Sequence, residues 1–317
     1  MDILKVSSSP HQNAGLTTQK VMLTVLIALF PALAASTVLF GWKALALTAE
    51  TVAACVGFEY LFRKLLHRDN MIGDLSAAVT GVILAFNLPA TMMSPSTWWM
   101  PLVGAFAAIV VTKEFFGGLG QNFANPAIVG RIVMMLSFTA AMTNFVTPAF
   151  TDAVTSATPL AAEAGTYSLT DLLFGLHGGT LGETCAVALL LGLVILLVTK
   201  TISPIIPVCF IGTYFAAALI DTASVTEALM LTLSGGLLFG AIFMATDYVT
   251  SPVTKWGRVI FAVGCGLLTF VIRRYAAMNE GVSFAILVMN LLVPHIERLT
   301  TPKPFGTVKE KKGAKAK

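Results

Sequence analysis

The residues around Thr158 are suited to the formation of an ester on its hydroxyl group. The stretch from Asp152 to Pro159 reads Asp-Ala-Val-Thr-Ser-Ala-Thr-Pro. A phosphoester needs a hydroxyl, an approachable backbone and an acid group near enough to assist its formation. Asp152 supplies the acid, Thr155 and Ser156 are small polar neighbours, and Pro159 prevents a helix from continuing. The alternative interpretation is an ordinary turn, because Asp, Ser, Thr and Pro all favour turns.

Composition identifies the kind of protein that must position this hydroxyl. The chain has 317 residues, of which 56% are apolar and 11% charged, and its mean hydropathy is +0.83. Soluble domains carry about 25% charged residues, so the sequence predicts a polytopic membrane protein. The polar loop 146–182 contains no Lys or Arg and lies between two apolar segments. We therefore expect it to protrude from one face of the membrane.

Apolar runs predict an all-α protein with about ten membrane-crossing helices, since about 20 residues are needed to span the hydrocarbon. The predicted spans are 21–40, 44–62, 76–93, 98–113, 126–145, 183–199, 203–220, 229–246, 257–272 and 281–298. They divide the chain into a polar segment 1–20, a first five-helix unit 21–145, the loop 146–182, a second unit 183–298 and a basic tail 299–317. The tail carries much of the formal net charge of +4, and topology explains it better than nucleic-acid binding does.

Positive charge orients these spans, because Lys and Arg concentrate in cytoplasmic segments. With both termini in the cytoplasm, the cytoplasmic segments hold Lys5, Lys20, Arg63, Lys64, Arg68, Lys113, Lys200, Lys255, Arg258 and the basic tail. The exceptions are Lys43 and the pair Arg273-Arg274. This orientation puts Thr158 outside the cytoplasm.

The two units resemble each other weakly. A shift of 157 residues aligns pairs of like residues, namely Phe86 with Phe243, Ser94-Pro95 with Ser251-Pro252, Trp99 with Trp256 and Asn122 with Asn279. A duplicated unit with five helices must insert in opposite orientations. Inverted repeats of this kind build a passage at their mutual interface.

Two segments interrupt the helical pattern. Asn87-Leu88-Pro89 breaks the third span, since proline removes a backbone donor, although a tolerated kink is an alternative. Gly117-Gly118-Leu119-Gly120 precedes Asn122 and the pair Asn125-Pro126, a favourable helix start that offers free N–H groups to an anionic or carbonyl-rich ligand. A tight turn is the alternative there. A single Asn-Pro-Ala triplet argues against a water channel, which needs two.

Ionisable residues inside apolar runs are costly and therefore informative. Glu50, Glu59, Arg131 and Asp247 fall in or at the ends of predicted spans. We expect Glu50, with Asn87 and Asp247, to line an ion route between the units, while snorkelling or packing explains Arg131 and Asp247 equally well. The cysteines form no Cys-x-x-Cys pair and the histidines are scattered, which argues against a metal site in this chain.

Five blocks in order carry a resemblance to a known family. They are Ser7-Ser8-Ser9-Pro10-His11, the run from Thr80 to Pro89, the run from Phe116 to Ala127, the run from Thr155 to Leu160 and the run from Met244 to Pro252. Over nearly its whole length the chain resembles the D subunits of the Rnf complex and is similar to the B subunits of the sodium-translocating NADH:quinone oxidoreductase. The short amino terminus favours the first.

The resemblance implies a flavin-carrying subunit of a complex that moves electrons between reduced ferredoxin and NAD⁺ while translocating Na⁺ or H⁺. Thr158 would carry FMN through a phosphoester, next to Asp152, Thr155 and Ser156. The family often has Gly where Ser156 stands, and Ser is small enough to preserve attachment.

Further expectations concern the rest of the assembly. Gly120, Asn122 and Asn125 would contact a non-covalent flavin such as riboflavin. The partners would be the A, B, C, E and G subunits of the Rnf complex, with their iron–sulfur and flavin groups, in a bacterial cytoplasmic membrane. The chain itself needs no catalytic residue and should be inert alone.

A different class of protein fits part of the same pattern. Inverted repeats and broken helices also suit a passive channel or secondary transporter without redox function, and a membrane scaffold without cofactor is a weaker possibility. A covalent flavin survives denaturation, so flavin fluorescence in a denaturing gel separates the first hypothesis from its rivals.

Overall fold

The computed structural model describes residues 17–148, 158–160, 167–276 and 280–302, and every regular element in these ranges is helical. The predicted all-α class is therefore confirmed. The helices before the long loop are α1 (Thr18–Phe40), α2 (Trp42–Leu65), α3 (Ser76–Phe86), α4 (Met100–Phe106, continued by the π-helical turns Ala107–Glu114), α5 (Pro126–Ser137) and α6 (Thr139–Met142). Those that follow are α7 (Leu169–Phe174), α8 (Ala186–Val198), α9 (Ile205–Thr222), α10 (Val225–Leu233), α11 (Leu237–Phe239, continued by Gly240–Met244), α12 (Lys255–Tyr275) and α13 (Val282–Thr300).

Helix length separates two kinds of element. Five helices, α1, α2, α9, α12 and α13, are long and apolar enough to cross a membrane, and a sixth span results if α10 and α11, bent by 66°, count as one. Three apolar helices, α3, α5 and α8, are shorter. The described helices thus make a multi-pass membrane protein that combines full-length helices with shorter ones.

Two predicted spans are shorter in the structure than the sequence suggested. The third was expected to reach residue 93, but α3 ends at Phe86, because Pro89 lacks a donor and disfavours helical geometry at the residue before it. The fifth was expected to reach residue 145, but α5 ends at Ser137, where Phe138 leaves helical geometry at φ −131°. In contrast, Asn125 caps α5 and Pro126 occupies its first turn, as predicted.

Two of the aligned residue pairs occupy comparable places among the helices, while Asn279 of a further pair lies outside the described residues. Phe86 ends α3 and Phe243 lies in the last turn of the α11 continuation, while Trp99 immediately precedes α4 and Trp256 lies in the first turn of α12. Corresponding helices also pack together across the molecule, α1 against α8 and α5 against α13. The relation of the two units by an inverted repeat stays a prediction.

Candidate functional site

The broken end of α3 and the carboxyl end of the α11 continuation meet inside the molecule, at a junction that we call the seam. The amide of Asn87 contacts Met244 Sδ at 3.4 Å, and these two residues are 157 positions apart. The freed carbonyls of Phe86 and Leu88 accept hydrogen bonds from the N–H groups of Gly182 and Leu181, at 2.8 and 3.1 Å. The helix break is therefore stable because another part of the chain satisfies its backbone.

That pairing corrects one expectation about the long loop. Residues 177–184 lie buried in the structure, and α8 starts only at Ala186, whereas we predicted a protruding loop up to 182 and a helix from 183. The physical reason is that Leu181 and Gly182 are needed as donors at the seam. The end of the loop is thus part of the interior.

A cavity opens on one side of the seam, and we call it the Asn125 cavity. Its empty space is about 790 Å³ when the open mouth is included, and only about 90 Å³ of it is a cavity in the strict sense. Its polar lining includes Ser76, Thr80, Lys113, Asn122, Asn125 and Asp247. Apolar side chains from both units, such as Ile83 and Phe243, contribute to the wall. Of the predicted site residues, the structure brings Asn122, Asn125 and Asp247 together here.

Asn125 joins the two units at this cavity. Its Oδ1 accepts from the N–H of Ala127 at 3.0 Å, which caps α5, and its Nδ2 donates to the carbonyl of Met244 at 3.0 Å. The approach to this cap is a glycine turn in which Gly117, Gly118 and Gly120 all have positive φ, a conformation that costs glycine little. Gly120 provides the backbone geometry of this turn, but it is absent from the cavity lining.

Asp247 is fixed by local bonds at the rim of the cavity. Its Oδ2 accepts from Thr250 Oγ1 at 2.9 Å, and its carbonyl accepts from the N–H of Ser251 at 3.1 Å. Asn87 lies instead in the seam, where its Oδ1 accepts from Arg131 Nη1 at 2.7 Å. Asn87 and Asp247 were expected to line one ion route, but Asn87 lies in the seam and Asp247 at the rim of the Asn125 cavity.

Glu50, the third residue of that expected route, sits on α2, which packs against α1, α3 and α4. Both of its carboxylate oxygens are buried and have no hydrogen-bond partner among the described residues. Its placement on the ion route stays a prediction.

Next to the Asn125 cavity lies a group of four buried charges, the Glu59 quartet, formed by Glu59, Arg63, Lys113 and Glu114. Lys113 Nζ is 2.9 Å from Glu59 Oε2, and Arg63 Nε is 3.2 Å from Glu114 Oε2 and 3.7 Å from Glu59 Oε1. Lys113 also donates to Ser76 Oγ at 2.6 Å. Of these four, sequence reasoning singled out Glu59 as an intramembrane charge. The i,i+4 pair Glu59/Arg63 and the adjacent Lys113-Glu114 were the available signal.

On the other side of the seam a second set of charges converges where Ser234-Gly235-Gly236 separates α10 from α11. We call it the Gly235 cluster, and it consists of Arg131, Glu183, Gly235, Gly236, Arg273 and Glu280. Arg131 forms an ion pair with Glu280. Glu280 Oε1 also accepts from the N–H of Gly236 at 3.0 Å, at the start of α11. The charges therefore satisfy a helix end that the break leaves open.

Arg273 satisfies free backbone carbonyls at the end of α10. Its Nη1 donates to the carbonyl of Leu231 at 3.1 Å and to the Tyr214 hydroxyl at 3.0 Å, and its Nη2 donates to the carbonyl of Ser234 at 3.2 Å. Its neighbour Arg274 pairs with Asp221 at 3.2 Å. Arg273 and Arg274, two of the three residues that depart from the predicted cytoplasmic placement of positive charge, thus have partners within the chain.

Thr158 lies close to this cluster. It is 6% exposed, and two residues later the Cδ1 of Leu160 lies 2.6 Å from the position that a Cβ on Gly235 would occupy. Asp152, Thr155 and Ser156, the other predicted members of the attachment site, lie outside the described residues. The chain at the predicted ester position thus runs close to the Gly235 cluster.

The helices and the buried polar seam define a multi-pass membrane protein whose two units meet through charged and amide side chains. A family model described as the NQR2, RnfD, RnfE family matches residues 5–306. The chain belongs to this family.

Relatives of similar length support the assignment. The chain is 45% identical to the D subunit of the Na(+)-translocating ferredoxin:NAD(+) oxidoreductase complex of Acetobacterium woodii, over 99% of this chain and 98% of that protein. It is 37% identical to the D subunit of the proton-translocating ferredoxin:NAD(+) oxidoreductase complex of Clostridium ljungdahlii, over 96% and 97%. It is 36% identical to the D subunit of the ion-translocating oxidoreductase complex of Stutzerimonas stutzeri, over 92% of each.

Proposed function

We propose that this protein is the flavin-carrying membrane subunit of a complex that couples electron transfer between reduced ferredoxin and NAD⁺ to the translocation of Na⁺ or H⁺. The observation that carries the proposal is similarity over nearly the full length to the D subunits of such complexes. Their names include both Na⁺ and H⁺, so the family accommodates either ion. The other subunits of that complex are the partners of this chain.

FMN is attached through a phosphoester to Thr158 in this proposal. The motif from Asp152 to Thr158 supports it, as does the position of Leu160 against the Gly235 cluster. Because Thr158 is 6% exposed, its hydroxyl must become accessible for the ester to form. When bound, the flavin supplies the redox chemistry, and the protein fixes its place.

The Asn125 cavity is our candidate for a second, non-covalent flavin. Asn122 and Asn125 offer amide groups that suit the carbonyl and imide edge of a flavin ring, and Ile83 and Phe243 offer apolar surface for its faces. Asn122 Nδ2 donates to the carbonyl of Ala124 at 3.0 Å, which holds its side chain in place. The chemistry of these side chains supports the candidate, although the cavity would have to widen to admit a flavin ring.

The membrane arrangement that goes with this function has about ten crossings in two inverted five-helix units. Both termini and the Asn125 cavity face the cytoplasm, and Thr158 faces the outside of a bacterial cytoplasmic membrane. The packing of α1 on α8 and of α5 on α13 supports the repeat. Ions pass along the interface near Asn87 and Asp247, with Glu50 contributing from α2.

The attachment of FMN is tested on a denaturing gel of the purified protein. The wild-type band should fluoresce under blue light, and Thr158→Ala should abolish that fluorescence while the protein still inserts into the membrane. Thr143→Ala, which changes an exposed threonine before the motif, should fluoresce like wild type. A fluorescent Thr158→Ala band would show that the flavin is attached elsewhere. A dark wild-type band would favour the channel or transporter alternative, which the shorter helices and the cavity also suit.

A further inference from the structure

The segment from His177 to Thr184 is fully buried although it has no regular secondary structure. Irregular backbone in the interior of a membrane protein persists where protein covers it or where it lines a polar cavity. Three of its side chains, His177, Glu183 and Thr184, each carry a buried polar atom without a hydrogen-bond partner in the described part of the chain. Such atoms are costly unless something binds them.

Glu183 is the most demanding of these groups. It is 3% exposed, and its Oε2 accepts from the N–H of Thr180 at 3.3 Å and from Thr180 Oγ1 at 2.9 Å. Its Oε1 has no partner, and Glu183 forms no salt bridge with any cation in the described ranges. A buried carboxylate without a contacting cation is strongly disfavoured as a bare anion. Its free oxygen Oε1 therefore calls for a binding partner.

The surroundings of Glu183 have the chemistry of a small oxygen site. Gly179 is flanked by Thr184 Cγ2 and Glu183 Cδ, which lie 3.5 and 3.6 Å from the position of a Cβ on that glycine. The Thr184 hydroxyl is buried and, within the described ranges, unpartnered, and the Thr184 methyl group and Glu183 Oε2 border the same glycine. Carboxylate and hydroxyl oxygens are ligands that suit hard cations.

The charged groups that face Glu183 are engaged elsewhere. Arg131 on α5 interacts with it at longer range but pairs with Glu280. Arg273 Nη2 and Glu183 Oε1 face each other across Gly235, at 2.6 and 3.3 Å from the position of a Cβ on that glycine. The donors of Arg273 nevertheless go to neutral oxygens of Tyr214, Leu231 and Ser234. His177 neighbours Glu183 within the same loop. Either arginine would displace a cation if its side chain moved onto the carboxylate.

From these contacts we propose that Glu183, with the hydroxyls of Thr180 and Thr184, binds a monovalent cation, either H⁺ or Na⁺, beside the Gly235 cluster. A proton would reside on Oε1, and Na⁺ would be coordinated by Oε1 and the Thr184 hydroxyl. Arg131 and Arg273 compete with that cation for the same carboxylate, so occupancy depends on where the two arginines lie. The inference rests on the ion-translocating part of the proposed function and is independent of the flavin.

The test is infrared difference spectroscopy of the purified complex, which observes the carbonyl band of a protonated carboxyl group. We compare wild type with Glu183→Gln, and Glu227→Gln serves as the control because Glu227 is an exposed carboxyl in the first turn of α10. If the site binds H⁺, raising the pH should remove a carboxyl band that Glu183→Gln lacks and Glu227→Gln retains. If it binds Na⁺, NaCl but not KCl should remove that band at constant pH.

Two outcomes overturn the proposal. One is a set of spectra with no carboxyl band that responds to pH or to NaCl. The other is a responding band that persists in Glu183→Gln. Should that variant fail to fold, Thr184→Val keeps the carboxyl and removes one oxygen, and it should shift the NaCl midpoint roughly tenfold, or about 1.4 kcal/mol, if Na⁺ binds. A proton site would leave no NaCl response in either protein. The gel test of Thr158 reads a different property, so failure of one leaves the other intact.

Discussion

The Glu59 quartet and the Gly235 cluster have the same charged composition, two acids and two bases, and opposite degrees of pairing. In the quartet each carboxylate lies within 4.0 Å of a cation, since Lys113 and Arg63 reach Glu59 and Arg63 reaches Glu114. In the Gly235 cluster, among the described residues, only Arg131 and Glu280 pair. The remaining two, Glu183 and Arg273, are bound by neutral groups.

The two regions also differ in what they join. The quartet connects α2 to the continuation of α4, both within the first unit. The Gly235 cluster connects α5 of the first unit to the α10–α11 break, α12 and residue Glu280 of the second. The shift of 157 residues puts Ala216 and Phe270 where Glu59 and Lys113 stand. At these two positions the second unit therefore has no equivalent of the Glu59/Lys113 ion pair.

This difference in pairing distinguishes charges that stabilise the fold from a carboxylate that can bind a cation. A fully paired buried network resists change, because removing one member leaves another uncompensated. A carboxylate held by neutral donors alone is free to exchange a cation, since no ion pair has to break. We assign the first role to the quartet and the second to Glu183.

The largest expected effect comes from neutralising one carboxylate in each region. Glu59→Gln should lower stability by about 3–5 kcal/mol, because the buried Lys113 loses its counter-charge. Glu183→Gln should change stability by less than about 1 kcal/mol, because no contacting cation is stranded and the amide oxygen still accepts from Thr180. Thermal unfolding of the purified protein in detergent measures both.

Lys64→Met provides the control for the first change, since Lys64 is an exposed residue on the same helix as Glu59. It should unfold within a degree or so of wild type, as exposed substitutions cost little. Equal losses from Glu59→Gln and Glu183→Gln would refute the distinction between the two regions.

A smaller effect is expected at the glycine pair that defines the cluster. Gly235 has φ +70°, and a Cβ there would lie 2.6 Å from Arg273 Nη2 and from Leu160 Cδ1. Gly235→Ala should therefore destabilise the protein by about 1–3 kcal/mol through backbone strain and crowding. Gly212→Ala is the matched control, because a Cβ at that position of α9 meets nothing within 4 Å. The same thermal measurement should leave Gly212→Ala at or above wild type, and a tolerated Gly235→Ala would mean that the break is not sterically fixed.

The sequence predicted those features that depend on neighbouring residues. Asn125-Pro126 is a local helix-start signal, and α5 begins there. Asn87-Leu88-Pro89 is a local breaker, and α3 ends before it. The eighth span is also broken between Leu233 and Leu237, where the glycine pair Gly235-Gly236 within an apolar run was the overlooked signal.

What sequence reasoning could not supply is the pairing of distant charges. Glu114 is 51 residues from Arg63, and the Arg131 partner Glu280 lies in the other unit. Helical periodicity indicates the face on which a residue lies, but not which helix will pack against that face. The contact of Asn87 with Met244, 157 positions away, is likewise visible only in the structure.

The smallest effect should come from His177, which lies between α7 and α8, outside the membrane-spanning helices, in the same buried segment as Glu183. Burial lowers the pKa of His177, against the opposing influence of its bond to the Gly178 carbonyl and of Glu183. The folded protein thus binds fewer protons at this site than the unfolded chain, so stability is fully present above the ordinary histidine pKa of about 6.5 and declines as pH falls below it. Between about pH 7.5 and about pH 5.5, His177→Asn should lose less thermal stability than wild type. His295→Asn, at an exposed position of α13, should follow the wild-type curve. If His177→Asn also followed that curve, the buried segment would accept a charged imidazole without cost, and the argument that its unpartnered atoms demand a ligand would weaken with it.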